Sequence, residues 1–202
     1  MTDAGTQPDE ANPGWETEGA EIVSADEQAH PFHVLFVCTA NVCRSPSLEA
    51  MARHAAPEGA DLVFSSAGTH GWTDQPVTDE MRAALPSGVD TAGFRSRPLT
   101  RQILEDADLV LTAEAAHRSL ILEDQPQLFR KVYTLGQFAQ AVQNAPEGLS
   151  RDELLAHVAA ARGPADPALD VADPYRRGPE AAAGCVARLE ELLHVVLPAL
   201  SR

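Results

Sequence analysis

Val34 to Ser47 reads VLFVCTANVCRSPS, and this stretch decides how the rest of the chain is read. His33–Cys38 is a short apolar run ending at a cysteine, the pattern of a buried strand. Ser45-Pro46 reads as a helix start, with Ser45 as N-cap and Pro46 in the first helical position. Five residues separate Cys38 from Arg44, and a loop of that length curls so that backbone N–H groups form an anion-binding nest. The helix that follows adds its positive end at the same point. Arg44 forks onto two phosphate oxygens, as lysine cannot. The same fields favour a thiolate at Cys38, the form that attacks phosphorus.

Two of the chain's three cysteines, Cys38 and Cys43, lie in this stretch, which also raises a metal pair or a disulfide. Zinc needs a second pair of ligands at suitable spacing, and only Cys185 and scattered histidines remain, so no metal is expected. An odd, low cysteine count fits a reducing cytoplasm better than a disulfide framework. A G-x-x-x-x-G-K-[ST] nucleotide loop is absent, and no cofactor is expected.

Outward from this loop, strand-like and helix-like segments alternate. Leu48, Met51, Ala52 and Ala55 mark one face of the helix after the loop. Leu62–Ser66 reads as a second strand, Asp108–Leu111 as a third and Lys131–Leu135 as a fourth. Helices are expected from Thr78 to about Leu85, from Thr100 to about Glu105, over Glu114–Leu122 and over Pro179–Leu197. Ser150-Arg151-Asp152-Glu153 matches a capping box opening a helix to about Arg162, with Leu154, Leu155 and Val158 as its apolar face. The alternation predicts an α/β fold: a doubly wound, four-stranded parallel sheet flanked by helices in three layers, flavodoxin-like. Ligands of such sheets sit beyond the carboxyl ends of the strands, where Cys38 falls.

The 202 residues carry a formal charge of −15. Residues 1–30 hold eight of the thirty acidic side chains and none of the fifteen Lys and Arg. Rich in Pro, Gly, Asp and Glu, they read as a disordered acidic tail with Trp15 as its one anchoring side chain, leaving 31–202 as the folded domain. An acidic surface disfavours nucleic acid. Neither a membrane span nor a signal peptide is visible, so a cytoplasmic protein is expected.

The motif in Val34–Ser47 resembles the N-terminal signature of the low-molecular-weight protein tyrosine phosphatases, C-x5-R-S. Asp173-Pro174-Tyr175 matches the family's late Asp-Pro-Tyr motif, and SSAGT (Ser65–Thr69) and SRPLT (Ser96–Thr100) fall between in the expected order. The similarity spans roughly 33–200, setting aside an insertion with an extra helix at about 141–169.

The resemblance implies that Cys38 forms a phosphocysteine and that Arg44 binds the phosphoryl group. The backbone N–H groups of Thr39, Ala40, Asn41, Val42, Cys43 and Arg44 would join it. It implies that Ser45 bonds the thiolate and that Asn41, supported by Ser66, locks the loop. Asp173 would be acid and then base; among neighbouring carboxylates Asp166 and Asp170, its Asp-Pro-Tyr context singles it out. Trp72 would wall the cleft and Tyr175 line its other side. Cys43 would bridge reversibly to Cys38 under oxidation, while Cys185 reads as core.

Val42 leans toward phosphotyrosine, because members acting on phosphoarginine carry threonine there. The implied partners are phosphotyrosine proteins or peptides and a tyrosine kinase system. Phe94 departs from the family's usual histidine, and Arg176, followed by Arg177, from a second aromatic. Arsenate reductases share this loop but typically place a cysteine where Tyr175 stands, which argues against that activity. Intact Cys38, Arg44 and Asp173 argue against a non-catalytic phosphate reader.

Overall fold

The computed structural model describes residues 1–2 and 30–202. The chain divides into two units, Met1–His30 and Pro31–Arg202. The expected acidic tail, Trp15 included, falls outside the described residues apart from its ends.

Within Pro31–Arg202 the strands are β1 (Phe32–Cys38), β2 (Leu62–Gly68), β3 (Leu109–Thr112) and β4 (Val132–Thr134). They form a parallel sheet in the order β2-β1-β3-β4. Val34, Leu35, Phe36 and Val37 are each 0% exposed, because helices cover both faces of the central strand. On one face Val34, Phe36, Phe64, Leu109 and Leu111 share a core with side chains of α1 (Arg44–Ala55), α5 (Leu135–Gln143) and α7 (Gly178–Leu200). On the other, Leu35, Val37, Val110 and Val132 meet Leu104 of α3 (Arg101–Glu105) and Ile121 of α4 (Ala115–Asp124). This is the doubly wound, three-layer arrangement. The chain runs from β1 to β2 on one side and then to β3 on the other. Beyond the end of β1 lies the switch point where such sheets hold ligands.

α2 (Asp79–Ala84) and α7 pack together, and α7 also covers α1 and α5. Cys185 is 6% exposed on the inner side of α7. Burial pushes its thiol up to about 12. The extra helix is α6 (Arg151–Ala160). Its capping box is complete: Ser150 Oγ accepts from Glu153 N–H while Glu153 Oε2 accepts from Ser150 N–H at 2.9 Å. Leu154 and Val158 are buried, whereas Leu155 is only half-buried.

Three local expectations change. α1 begins at Arg44 with Cys43 as its N-cap, so Ser45 and Pro46 lie inside the first turn. Ser45 does not cap the helix because its hydroxyl is drawn to Cys38. Ala55 is exposed, not on the buried face. α5 starts directly where β4 ends, with Thr134 Oγ1 accepting from Gln137 N–H at 3.1 Å. Reading the strand through Leu135 hides that helix.

Candidate active site

Four loop carbonyls are tied outward by neighbouring backbone. Thr69 N–H donates to Cys38 O at 2.9 Å, His70 N–H to Thr39 O at 2.9 Å, Trp72 N–H to Ala40 O at 3.3 Å and Thr78 N–H to Val42 O at 3.0 Å. The N–H groups of Thr39 to Cys43 donate to no backbone acceptor among the described residues. Fixed carbonyls and uncommitted N–H groups are what a backbone anion nest requires. The loop fits only because position 68 is glycine: a Cβ there would lie 2.6 Å from Thr39 O and 2.9 Å from Asn41 N.

Asn41 closes the loop from within. It adopts φ +59, a left-handed conformation that asparagine tolerates better than most residues. Fully buried, its Nδ2 donates to Ser45 Oγ and Ser66 Oγ, both at 2.9 Å. Its Oδ1 accepts from Arg97 N–H at 2.9 Å. Ser66 Oγ in turn donates to Glu49 Oε2 at 2.5 Å. Glu49 is paired with Arg53, while Phe94 packs half-buried against the core. The Asn41–Ser66 link is therefore carried by Glu49, and not by Phe94.

Cys38 Sγ lies 3.0 Å from Ser45 Oγ, and the cysteine is 2% exposed. The sulfur borders a pocket of about 180 Å³ shared with Thr39, Arg44, Trp72, Asp173 and Tyr175. Arg44 is 1% exposed, with Nη2 at 3.3 Å from Asp173 Oδ1. Its Nη1 donates to the Val171 carbonyl at 2.9 Å and is paired with Glu114. Burial by itself pulls the guanidinium down, yet the charges of Cys38, Glu114 and Asp173 raise it overall. It is a fixed cation.

The segment before α7 carries Asp173 and is pinned to the end of β3. Val171 N–H donates to Ala113 O at 2.9 Å, and Ala115 N–H to Asp170 Oδ1 at 2.8 Å. Asp166 caps the short 3-10 turn Pro167–Leu169, accepting from Ala168 N–H at 2.9 Å. Both rival carboxylates are thus spent on loop structure. Asp173 alone of the three borders the pocket.

Trp72 and Tyr175 meet edge to face, with ring centroids 5.5 Å apart. They form one aromatic wall, not two facing sides of a cleft. Arg176 stacks over Tyr175 at 5.1 Å, so this cation at the rim supports the wall. Cys43 borders the pocket beside Cys38, and burial pushes its thiol up to about 11.

Sequence reading missed Glu114, His117, His70 and Arg97. Thr39 Oγ1 lies 2.8 Å from His117 Nε2, and Glu114 Oε2 is 3.9 Å from the same nitrogen. The available signal was positional, since Glu114 follows the end of β3 and so faces the switch point.

The comparisons agree with this fold. The family model of the low molecular weight phosphotyrosine protein phosphatases matches residues 33–151. A protein-arginine-phosphatase of Bacillus subtilis (strain 168) is 34% identical over 106 residues, 52% of this chain and 71% of that one. The Escherichia coli (strain K12) low molecular weight protein-tyrosine-phosphatase Etp is 32% identical over 108 residues, 53% of this chain and 71% of that one. Among solved structures, the YwlE arginine phosphatase from Geobacillus stearothermophilus superposes with a TM-score of 0.66 at 26% identity, covering 84% of this chain and 93% of the other. A low molecular weight protein tyrosine phosphatase from T. tengcongensis gives 0.65 at 27% identity, covering 83% and 98%. The fold and loop define a phosphomonoester hydrolase, and the chain belongs to the low molecular weight phosphotyrosine protein phosphatase family.

Proposed function

We propose that this chain is a cytoplasmic phosphotyrosine-protein phosphatase working through a phosphocysteine at Cys38. The observation that carries the reading is the convergence of Cys38, Arg44 and Asp173 on one small pocket, although 135 positions separate nucleophile and acid. The substrate dianion enters the loop, where Arg44 and the free N–H groups hold its oxygens. Asp173 borders the same pocket and is the group that hands a proton to the leaving oxygen.

Cys38 Sγ then attacks phosphorus. The S–P bond forms, the P–O bond to the tyrosine ring breaks, and Asp173 protonates the departing phenolate. In the second step Asp173 takes a proton from water, whose oxygen displaces Cys38 from phosphorus. Ser45, 3.0 Å from the sulfur, stabilises the thiolate before attack and as it leaves. The aromatic wall of Trp72 and Tyr175 supports the phenyl ring of the substrate. A reducing compartment keeps Cys38 as a thiol, and a tyrosine kinase acting on the same proteins is the counterpart enzyme.

Phosphoarginine is the second reading, since two of the similar proteins are arginine phosphatases. Against it stands Val42, a buried residue bordering the pocket whose own side chain carries no hydroxyl. Parallel assays on phosphotyrosine and phosphoarginine peptides separate the two. The core test is hydrolysis of p-nitrophenyl phosphate, which Cys38→Ser and Arg44→Ala abolish. Asp173→Asn slows phosphotyrosine peptide turnover by roughly a hundredfold or more. Retained turnover in Cys38→Ser sinks the mechanism.

A further inference from the structure

Thr39 serves the loop through its backbone, but its side chain is committed in an unusual way. Thr39 Oγ1 lies 2.8 Å from His117 Nε2, and Arg44 Nη2 donates to it at 3.5 Å. A guanidinium only donates, so Arg44 fills one lone pair of the hydroxyl. What fills the other depends on the histidine's tautomer.

His117 is 5% exposed, and burial holds it down at about 4, so the ring is neutral near pH 7. Two observations put its single proton on Nε2. The Glu114 carboxylate sits 3.9 Å from that nitrogen. The other nitrogen, Nδ1, is buried without a hydrogen-bond partner among the described residues. An orphaned N–H is rarer in protein interiors than an orphaned lone pair. Nε2–H therefore donates to Thr39 Oγ1. Both lone pairs of the hydroxyl are then occupied, and its proton has no acceptor among the described residues. Thr39 is exposed and borders the pocket beside Cys38 and Arg44. An oxygen of a phosphoryl group bound in that pocket is an acceptor of the kind this proton needs.

We propose that the Thr39 O–H donates to a non-bridging phosphoryl oxygen of the substrate, and that His117 is the positioning residue that aims it. This rests on reading the pocket as a phosphomonoesterase site. Thr39 thereby adds a side-chain donor to the backbone donors of the loop. His117, with its buried ring between Glu114 and Thr39, fixes the direction of that donor without touching substrate.

The test measures inorganic phosphate binding by calorimetry and p-nitrophenyl phosphate kinetics on the full chain and on variants. Thr39→Val keeps the shape and removes the hydroxyl. It weakens phosphate roughly tenfold, the scale of one hydrogen bond to a charged group, and raises KM more than it lowers kcat. Thr39→Ser recovers most of that affinity. His117→Leu loses a similar factor, and the double variant is no weaker than either single one, as expected of two residues acting through one hydrogen bond. Phosphate affinity in Thr39→Val within about twofold of an active wild type, well below the tenfold scale of one hydrogen bond, overturns the proposal alone, as does Thr39→Ser being as poor as Thr39→Val. A wild type that neither binds phosphate nor hydrolyses the ester overturns the phosphomonoesterase reading, and this inference with it.

Discussion

Arg44 Nη1 donates to the Val171 carbonyl at 2.9 Å, joining two residues 127 positions apart. Arg44 opens α1 from the loop that holds the nucleophile, and Val171 lies two positions before Asp173. One buried guanidinium thus ties the loop of the proposed nucleophile, Cys38, to the segment of the proposed acid, Asp173. The same cation pairs with Glu114 beyond β3 and with Asp173 itself. Three segments meet on Arg44, so its partners are points at which catalysis and stability are coupled.

Glu114→Gln tests that coupling. The substitution keeps size but removes the negative charge facing Arg44. Breaking a fully buried pair costs about 3–5 kcal/mol. The Glu114 side chain is 27% exposed and Gln still accepts a hydrogen bond, so a loss of roughly 1–3 kcal/mol is expected in urea unfolding. Bound phosphate supplies the missing charge. Saturating inorganic phosphate should therefore raise the melting temperature of Glu114→Gln more than that of the wild type. Equal stabilisation of both proteins would show that Glu114 does not compensate Arg44.

His117 predicts a pH dependence whose sign follows from its burial. Its pKa falls from 6.5 in the unfolded chain to about 4 in the fold. The unfolded state therefore binds a proton on acidification before the folded state does. The contribution is complete above pH 6.5 and is lost as pH falls from 6.5 through 4. The shift corresponds to about 3 kcal/mol across that window. His117→Gln removes this titration. The stability difference between wild type and variant should shrink by about that amount between pH 7 and pH 4 in denaturant melts. A constant difference would mean that folding leaves the titration of His117 where the unfolded chain has it, against a ring buried in its neutral form.

Much of this architecture was legible in the sequence because the decisive features are local. The apolar run before Cys38 declares a strand buried on both faces, and the spacing from Cys38 to Arg44 declares the loop. The Ser150–Glu153 capping box specifies α6 through contacts within four residues. What escaped notice depends on contacts between distant segments. Nothing near Glu114 or His117 says that β3 ends beside the loop after β1, for that follows from the strand order. Ser45 looked like a helix cap because Ser-Pro usually is one, and a tertiary contact with Cys38 outcompetes that preference. Trp72 and Tyr175 were both expected at the cleft, but their mutual contact depends on where the Asp-Pro-Tyr segment docks.

Cys43 carries a redox prediction, offered as a hypothesis. Peroxide converts the Cys38 thiolate to a sulfenic acid; the Cys43 thiolate then attacks that sulfur, forming the disulfide and releasing hydroxide. Burial pushes the Cys43 thiol up to about 11, while the hydrogen bond to Thr78, with sulfur and oxygen 3.5 Å apart, pulls the other way. Below that value the reactive thiolate grows about tenfold per pH unit. After a brief peroxide pulse, bridge closure followed by mass spectrometry should accelerate by roughly tenfold for each unit between pH 7 and pH 9. Thr78→Val should slow it. Closure that ignores both pH and Thr78 would remove Cys43 as the resolving thiol.

Gly136 offers a test of how the acid is placed. A Cβ on Gly136 would lie 2.2 Å from the Leu169 carbonyl and 2.9 Å from the Leu169 side chain. Both neighbours belong to the 3-10 turn Pro167–Leu169, so backbone must move to admit an alanine. Leu169 is four positions before Asp173, with Asp170 and Val171 between them anchored to Ala115 and Ala113. Gly136→Ala should cost about 1–3 kcal/mol, the range for overpacking. It should also slow substrates with poor leaving groups, such as phenyl phosphate, more than p-nitrophenyl phosphate, because only the former depend strongly on proton donation. The loop from Cys38 to Cys43 is held by its own backbone bonds from Thr69, His70, Trp72 and Thr78, so phosphate affinity should change little. A uniform fall for both substrates would place the effect of Gly136 on overall folding and not on the position of Asp173.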